Sequence, residues 1–252
     1  MTRDTHFDLA VIGAGQGGGP LAGAFARTGK RVALIERSHV GGTCINEGCT
    51  PTKTMIASAR VAHLTRRSAD YGVHAGDVRI ELRRVRERKR EIVSSFRQGS
   101  EGALERAGVE LIRGTARFVG ERAIEVASSG NDREITADVV VIDTGLRPAV
   151  PPIEGLDRAP YLTSSSIMEL SEVPEHLVVL GGGYVGLEFA QMFRRFGSSV
   201  TVLQRENQLL PHEDVDVADE IRTILSDDGI RILLGVEVHE RGRAGEQPEA
   251  RL

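Results

Sequence analysis

The chain's chemistry is concentrated in one short segment. Its only two cysteines, Cys44 and Cys49, lie in Gly41-Gly42-Thr43-Cys44-Ile45-Asn46-Glu47-Gly48-Cys49-Thr50-Pro51-Thr52-Lys53. Thiols at this spacing can close a small disulfide ring if the backbone bends over residues 46–48, and Gly48 supplies that freedom. A helix starting near Cys49 presents its positive end to the sulfurs and is expected to lower a thiol pKa. Lys53 adds a cation one turn further on. Two other readings compete with a redox-active pair. A zinc site needs about four ligands, and His39, the nearest histidine in sequence, has no evident companions. Two buried free cysteines would be the default without context.

The context is glycine-rich. Gly13, Gly15 and Gly18 form G-x-G-x-x-G after an apolar run at residues 7–12 and before a helical stretch. The first glycine permits a tight turn, the second lets the backbone approach a pyrophosphate, and the third allows close strand–helix packing. The helix N-terminus favours the phosphates, and Glu36 stands where a carboxylate would meet a ribose hydroxyl. The pattern recurs with Gly181, Gly183 and Gly186 after the apolar residues 177–180. The offset from the first glycine to the end of the next strand is 23 in both copies, ending at Glu36 and at Gln204. Two copies of one βαβ unit imply two dinucleotide sites. In the second copy, Gln204 followed by Arg205 removes the carboxylate that would repel a 2′-phosphate and offers a cation to bind it. NADPH is therefore the expected nicotinamide donor, with NADH as the lesser possibility and Glu206 able to blunt the preference.

The elements that must position these residues follow from periodicity and punctuation. Helices are expected over residues 49–69, with Thr50 as N-cap and Pro51 in the first turn, and over 81–107, weakened around Gly99 and Gly102. Arg83, Arg84, Arg86, Arg88 and Arg90, interleaved with Glu81, Glu87 and Glu91, read as a solvated helix face. Short strands are expected at 109–112, 116–119, 123–126 and 139–142, with a polar turn at 128–132. The proline-rich stretch 147–152 marks the linker. The fold class is α/β with two Rossmann-like dinucleotide-binding units, the second incomplete, divided near the linker into 1–148 and 149–252. A last strand is expected within 233–238, and 241–252 lacks an apolar period.

Composition narrows the class. A formal net charge of −4 gives no bulk attraction for nucleic acid or a membrane surface. The sequence has no apolar run of spanning length and no secretory h-region, so a cytoplasmic location is expected. Structural disulfides are rare there, which favours a chemical role for the cysteine pair.

The run Gly-Gly-Thr-Cys-(x4)-Cys-x-Pro-x-Lys resembles the signature of the class I pyridine nucleotide–disulfide oxidoreductases, whose members include mercuric reductase-like and dihydrolipoamide dehydrogenase-like enzymes. The resemblance extends from about residue 6 to about residue 238, and Cys-Thr-Pro-Thr-Lys is closer to mercuric reductase-like bacterial members. It implies two Rossmann-like FAD/NAD(P)-binding units, an FAD-binding domain over 1–148 and a partial NAD(P)-binding domain over 149–252, in an FAD-dependent NAD(P)H:disulfide or metal-ion oxidoreductase passing electrons through a Cys44–Cys49 disulfide. The substrate would be a small-molecule disulfide, a metal ion or a quinone. Gly13, Gly15, Gly18 and Glu36 would hold the ADP half of FAD, Gly42, Thr43 and Cys44 would line the flavin, and Ala116 would contact the adenine. Thr144 and Gly145 lie in a stretch similar to the family's second flavin-contacting segment, which often has alanine at the position of Asp143. Cys49 would face the flavin and Cys44 the substrate. Lys53 would sit by the flavin, paired with Glu188. Gly181, Gly183, Gly186 and Arg205 would bind the nicotinamide nucleotide under a gate formed by Tyr184. Full-length relatives are homodimers, and their C-terminal dimerisation domain, with its catalytic histidine, has no counterpart here. His176, His212 and His239 match no family motif. The resemblance therefore describes a truncated form, for which a non-catalytic flavin-binding fragment or a thiol redox sensor is the alternative.

Overall fold

A computed structural model describes residues 5–238 apart from positions 129, 131 and 159. It divides into two compact units. One comprises the described parts of Met1–Pro51 and Arg90–Arg147, the other those of Thr52–Lys89 and Pro148–Leu252.

The first unit is built on a six-stranded sheet in the order β3-β2-β1-β6-β5-β4. The strands are β1 (His6–Ile12), β2 (Val32–Glu36), β3 (Glu110–Arg113), β4 (Thr115–Phe118), β5 (Ala123–Ala127) and β6 (Arg133–Ile142). β1 pairs in parallel with β2 and β6, and β2 with β3, whereas β4, β5 and β6 run antiparallel. All five residues of β2 are buried, as expected where a strand is covered on both faces. One face packs Leu9, Val11, Val32 and Leu34 with Ala22 and Ala26 of helix α1 (Gly18–Ala26). Phe7, Ala33, Ile35, Ile124 and Ile135 form a second cluster. Helix α2 (Gly42–Asn46) follows β2, and helix α3 (Cys49–Arg66) begins at the second cysteine.

The second unit holds three parallel strands, β7 (His176–Leu180), β8 (Ser199–Gln204) and β9 (Arg231–Leu234), in that order. Helices α5 (Tyr184–Phe196) and α6 (Val215–Asp227) connect them. Phe189, Met192, Phe193 and Val202 form its core.

Five expectations need correction. The two units do not follow a single cut at 148/149. Residues 52–89 group with the second unit because Met55, Ala59 and Leu82 join the cluster around Phe193. Helix α4 (Leu82–Arg106) is continuous through Gly99 and Gly102. Each glycine costs about 1 kcal/mol relative to alanine, but buried Leu82, Val93 and Leu104 anchor the helix along its length. The arginine run is also only partly a solvated face. Arg86 donates to the Glu169 carbonyl, Arg88 donates to the Thr54 carbonyl at 3.0 Å, and buried Lys89 pairs with Glu169. The sixth strand starts at Arg133 rather than 139, and the last lies at 231–234 rather than within 233–238. Positions 129 and 131 of the polar turn, and the tail 241–252, lie outside the described residues.

Candidate nucleotide-binding and redox-cysteine sites

The first glycine loop leaves the C-terminal end of β1 and opens α1. Gly13 has φ +107°, and a Cβ there would lie 2.0 Å from the Asp143 carbonyl oxygen. Only glycine serves both the turn and that approach. A Cβ on Gly18 would lie 2.2 Å from the Gly13 carbonyl oxygen, so the third glycine lets α1 sit against the turn. Gly42, in the cysteine segment, would meet the Gly15 Cα at 2.7 Å. The two glycine segments therefore touch backbone to backbone.

Glu36 is buried at the end of β2. Its Oε2 accepts the Ala14 N–H at 3.0 Å and its Oε1 accepts the Ser38 N–H at 2.8 Å. The Ser38 hydroxyl also donates to Oε1 at 3.2 Å, but Oε2 retains a further lone pair, so the group pins the loop and can still accept a ribose hydroxyl. The Gly114 N–H donates to the Glu36 carbonyl at 3.0 Å, bringing the strand that carries Ala116 beside the end of β2. Ala116 pairs with Val126. Thr144 and exposed Gly145 (φ +68°) follow β6 at the mouth of the loop. These features fit a dinucleotide such as FAD: a tight glycine turn, a helix N-terminus and a buried carboxylate at the ribose position.

Cys44 lies in α2 and Cys49 begins α3. A Cβ on Gly48 would lie 3.0 Å from the Thr43 carbonyl oxygen, so glycine permits the tight passage between the two helices. Both thiols are free, Cys44 half-buried and Cys49 exposed. The Cys44 thiol is hydrogen-bonded to the Cys49 side chain, which pushes its pKa up, and burial acts in the same direction. The Cys49 backbone amide acts the opposite way and is outweighed. The lowering expected from the helix start therefore does not prevail at Cys44, because the hydrogen bond to the second thiol favours the protonated form. The neighbouring Asn46 side chain donates to the Gly42 carbonyl at 2.8 Å and accepts from Arg97 at 2.9 Å, which fixes the α2 turn.

In the second unit the same devices recur. Gly181 has φ +100°, and its N–H donates to the Leu203 carbonyl at 2.8 Å. Gly183 precedes α5 as its N-cap, and a Cβ on Gly186 would lie 2.6 Å from the Gly181 carbonyl oxygen. Gln204 stands in for Glu36: its Oε1 accepts the Gly182 N–H at 2.7 Å, as Glu36 accepts that of Ala14. An amide thus reproduces the loop-pinning bond without the charge. Arg205 is exposed and donates to Glu206 at 3.0 and 3.2 Å, which holds the Glu206 carboxyl below its ordinary pKa. Tyr184 is 62% exposed, and its hydroxyl donates to Glu213, an interaction that raises the phenol pKa. Lys53 and Glu188 form an ion pair in this unit, the pairing that the resemblance implies.

Several participants were not legible in the sequence. Ser38 closes the Glu36 carboxylate, Glu213 holds Tyr184, and Leu210, at φ +48°, turns its N–H onto the Gly182 carbonyl at 3.0 Å. Asp143 accepts the Gly18 N–H at 2.7 Å. Ser38 acts locally, two residues after Glu36, whereas Glu213, Leu210 and Asp143 come from segments that only tertiary packing brings to the glycine loops. Among the described residues, no cluster of three or more His, Cys, Asp and Glu side chains is placed to hold a metal ion, and no helix is long and apolar enough to cross a membrane.

Comparison with known proteins agrees with this geometry. The family model for pyridine nucleotide-disulphide oxidoreductases matches residues 7–250. The chain is 36% identical over 248 residues to a mercuric reductase of Staphylococcus aureus, covering 97% of this chain and 45% of that protein. It is 35% identical to a dihydrolipoyl dehydrogenase of Bacillus subtilis, covering 94% of this chain and 51% of the relative. Among solved structures, the Cu(II) complex of the HOCl-induced flavoprotein disulfide reductase RclA from Escherichia coli superimposes with a TM-score of 0.84. That match has 36% identity and covers 98% of this chain and 53% of the other. The chain thus spans about half the length of the curated relatives it matches. Its doubled glycine loops, its paired cysteines and the family match over nearly its whole length lead to one conclusion: the chain belongs to the pyridine nucleotide-disulphide oxidoreductase family.

Proposed function

We propose that this chain carries the cofactor-binding and redox-cysteine portion of a mercuric reductase-like, FAD-dependent NAD(P)H:disulfide or metal-ion oxidoreductase. The observation that carries the reading is the hydrogen-bonded pair of free thiols, Cys44 and Cys49, in the same compact unit as the first glycine loop. FAD, when bound, supplies the step that turns a two-electron hydride donor into a reductant for a disulfide. The residues of the chain do the rest. Gly13, Gly15, Gly18 and Gly42 let the loop close on its neighbours at distances that a Cβ would forbid. Glu36 fixes the loop and presents a ribose acceptor. Cys44 and Cys49 alternate between dithiol and disulfide, losing two protons and two electrons on oxidation.

NADPH is the proposed donor. Gln204 keeps the loop bond without a negative charge, and Arg205 is a solvent-facing guanidinium close to the end of β8. Binding a 2′-phosphate there requires Arg205 to exchange Glu206 for the phosphate.

The test uses the purified chain reconstituted with FAD under anaerobic conditions, with the cysteine pair first oxidised. NADPH is expected to bleach the bound flavin and to restore both thiols to titration. Cys49→Ser is expected to retain FAD and lose the thiol gain. Arg205→Ala is expected to weaken NADPH more than NADH. A chain that takes up no FAD, or one whose flavin is reduced while the thiol count stays fixed, refutes the assignment.

A further inference from the structure

The first glycine loop is wrapped around a carboxylate. Asp143 follows β6, with its own N–H donating to the Ile12 carbonyl at 2.8 Å. Its side chain turns into the loop, where Oδ2 accepts the Gly18 N–H at 2.7 Å. An ideal Cβ would lie 3.0 Å from Oδ2 at Gly15, 3.3 Å from Oδ1 at Gly17 and 2.8 Å from Oδ2 at Gly18. The side-chain-free faces of three successive loop glycines thus look onto this one group. Helix α1 has no cap of its own, because its N-cap residue is Gly17; Asp143 takes that role from a distant strand. The second glycine loop has no equivalent: a Cβ on Gly183 would meet nothing within 4 Å, and Gly186 faces only backbone and Val179.

We propose that Asp143 is a positioning residue that holds the flavin-site loop in its working shape and, through its charge, weakens the grip of that loop on the cofactor pyrophosphate. The inference rests on the first glycine loop being the FAD site. A helix N-terminus carries about half a positive charge, and a full carboxylate beside it more than cancels the attraction that an incoming diphosphate would use. The capping bond needs only an acceptor oxygen, which an asparagine also supplies. Retaining the acceptor and removing the charge therefore separates the two roles. One such charge, partly screened by solvent, changes affinity roughly five- to tenfold.

The experiment compares wild type, Asp143→Asn and Asp143→Ala in the full 252-residue chain, titrated with FAD, ADP and adenosine, with thermal unfolding of each ligand-free chain. Asp143→Asn is expected to bind FAD and ADP roughly five- to tenfold more tightly than wild type. Its adenosine affinity should be unchanged, and its melting temperature should fall only by the small charge–dipole contribution. Asp143→Ala, lacking the cap, is expected to melt lower. A purely structural aspartate cannot make the asparagine variant bind more tightly than wild type, nor make that gain depend on the diphosphate. Equal or weaker FAD and ADP binding by Asp143→Asn overturns the inference while leaving the flavin site standing. So does a gain shared equally by adenosine, or an asparagine chain that fails to fold. If no chain binds FAD, ADP or adenosine, the flavin-site assignment falls, and this inference with it.

Discussion

Gly18 and Gly23 lie on the same short helix, yet alanine should act on them with opposite sign. At Gly18 the added Cβ would stand 2.2 Å from the Gly13 carbonyl oxygen, 2.8 Å from Asp143 Oδ2 and 3.0 Å from Val11 Cγ1. Carbonyl and strand side chain cannot both retreat, so α1 must back away from β1 by about 1 Å, and such overpacking costs about 1–3 kcal/mol or more. At Gly23 the nearest atoms are Arg27 Nη1 at 3.5 Å and the Ala107 Cβ at 3.8 Å, ordinary contact distances. Alanine there gains helix propensity of roughly 0.5–1 kcal/mol. The two variants should therefore differ by about 3 kcal/mol, which for a chain of this size is roughly 6–12 °C in melting temperature. Thermal unfolding followed by circular dichroism measures the difference directly. FAD titration adds a second expectation: Gly18→Ala loses cofactor affinity and Gly23→Ala keeps it. Equal melting temperatures for the two variants would refute the claim that the third loop glycine exists to let helix and turn touch.

Two further outcomes can be checked. The Cys44 thiol is held up chiefly by its hydrogen bond to Cys49. Cys49→Ala should therefore shift the pH midpoint of Cys44 alkylation by iodoacetamide downward, and an unmoved midpoint would contradict the thiol–thiol contact. His63 is held below its ordinary pKa of 6.5 by burial and by Arg195, with Asp228 opposing. Because the folded state disfavours its charged form, His63 contributes stability that is present above about pH 6.5 and lost as the pH falls below it. Replacing it with glutamine should flatten the stability profile on that acidic side in urea titrations; an unchanged slope would mean that the imidazole does not titrate differently on unfolding.

Much of the molecule is determined by the sequence alone, for local reasons. The βαβ units are legible because strand, glycine turn and helix are contiguous, and the third glycine of each loop answers a constraint met within a few residues, Gly18 against the Gly13 carbonyl and Gly186 against that of Gly181. The cysteine segment is legible for the same reason: α2, the Gly48 turn and the start of α3 span only residues 42–49. Local sequence also places Glu36 and Gln204 at matching positions, but not their identical bonds to the loop amides. What tertiary structure decided involves partners distant in sequence. Residues 52–89 join the second unit because Met55, Ala59 and Leu82 find their apolar neighbours more than 80 positions away, around Ile167 and Phe193. The direction of the Cys44 shift depends on which neighbour its thiol meets, a question of side-chain placement on which residue type is silent. Asp143 shows the division most clearly. In sequence it is one polar residue at the end of an apolar strand. Parallel pairing of β1 with β6 carries its carboxylate across 125 positions to the amide of Gly18.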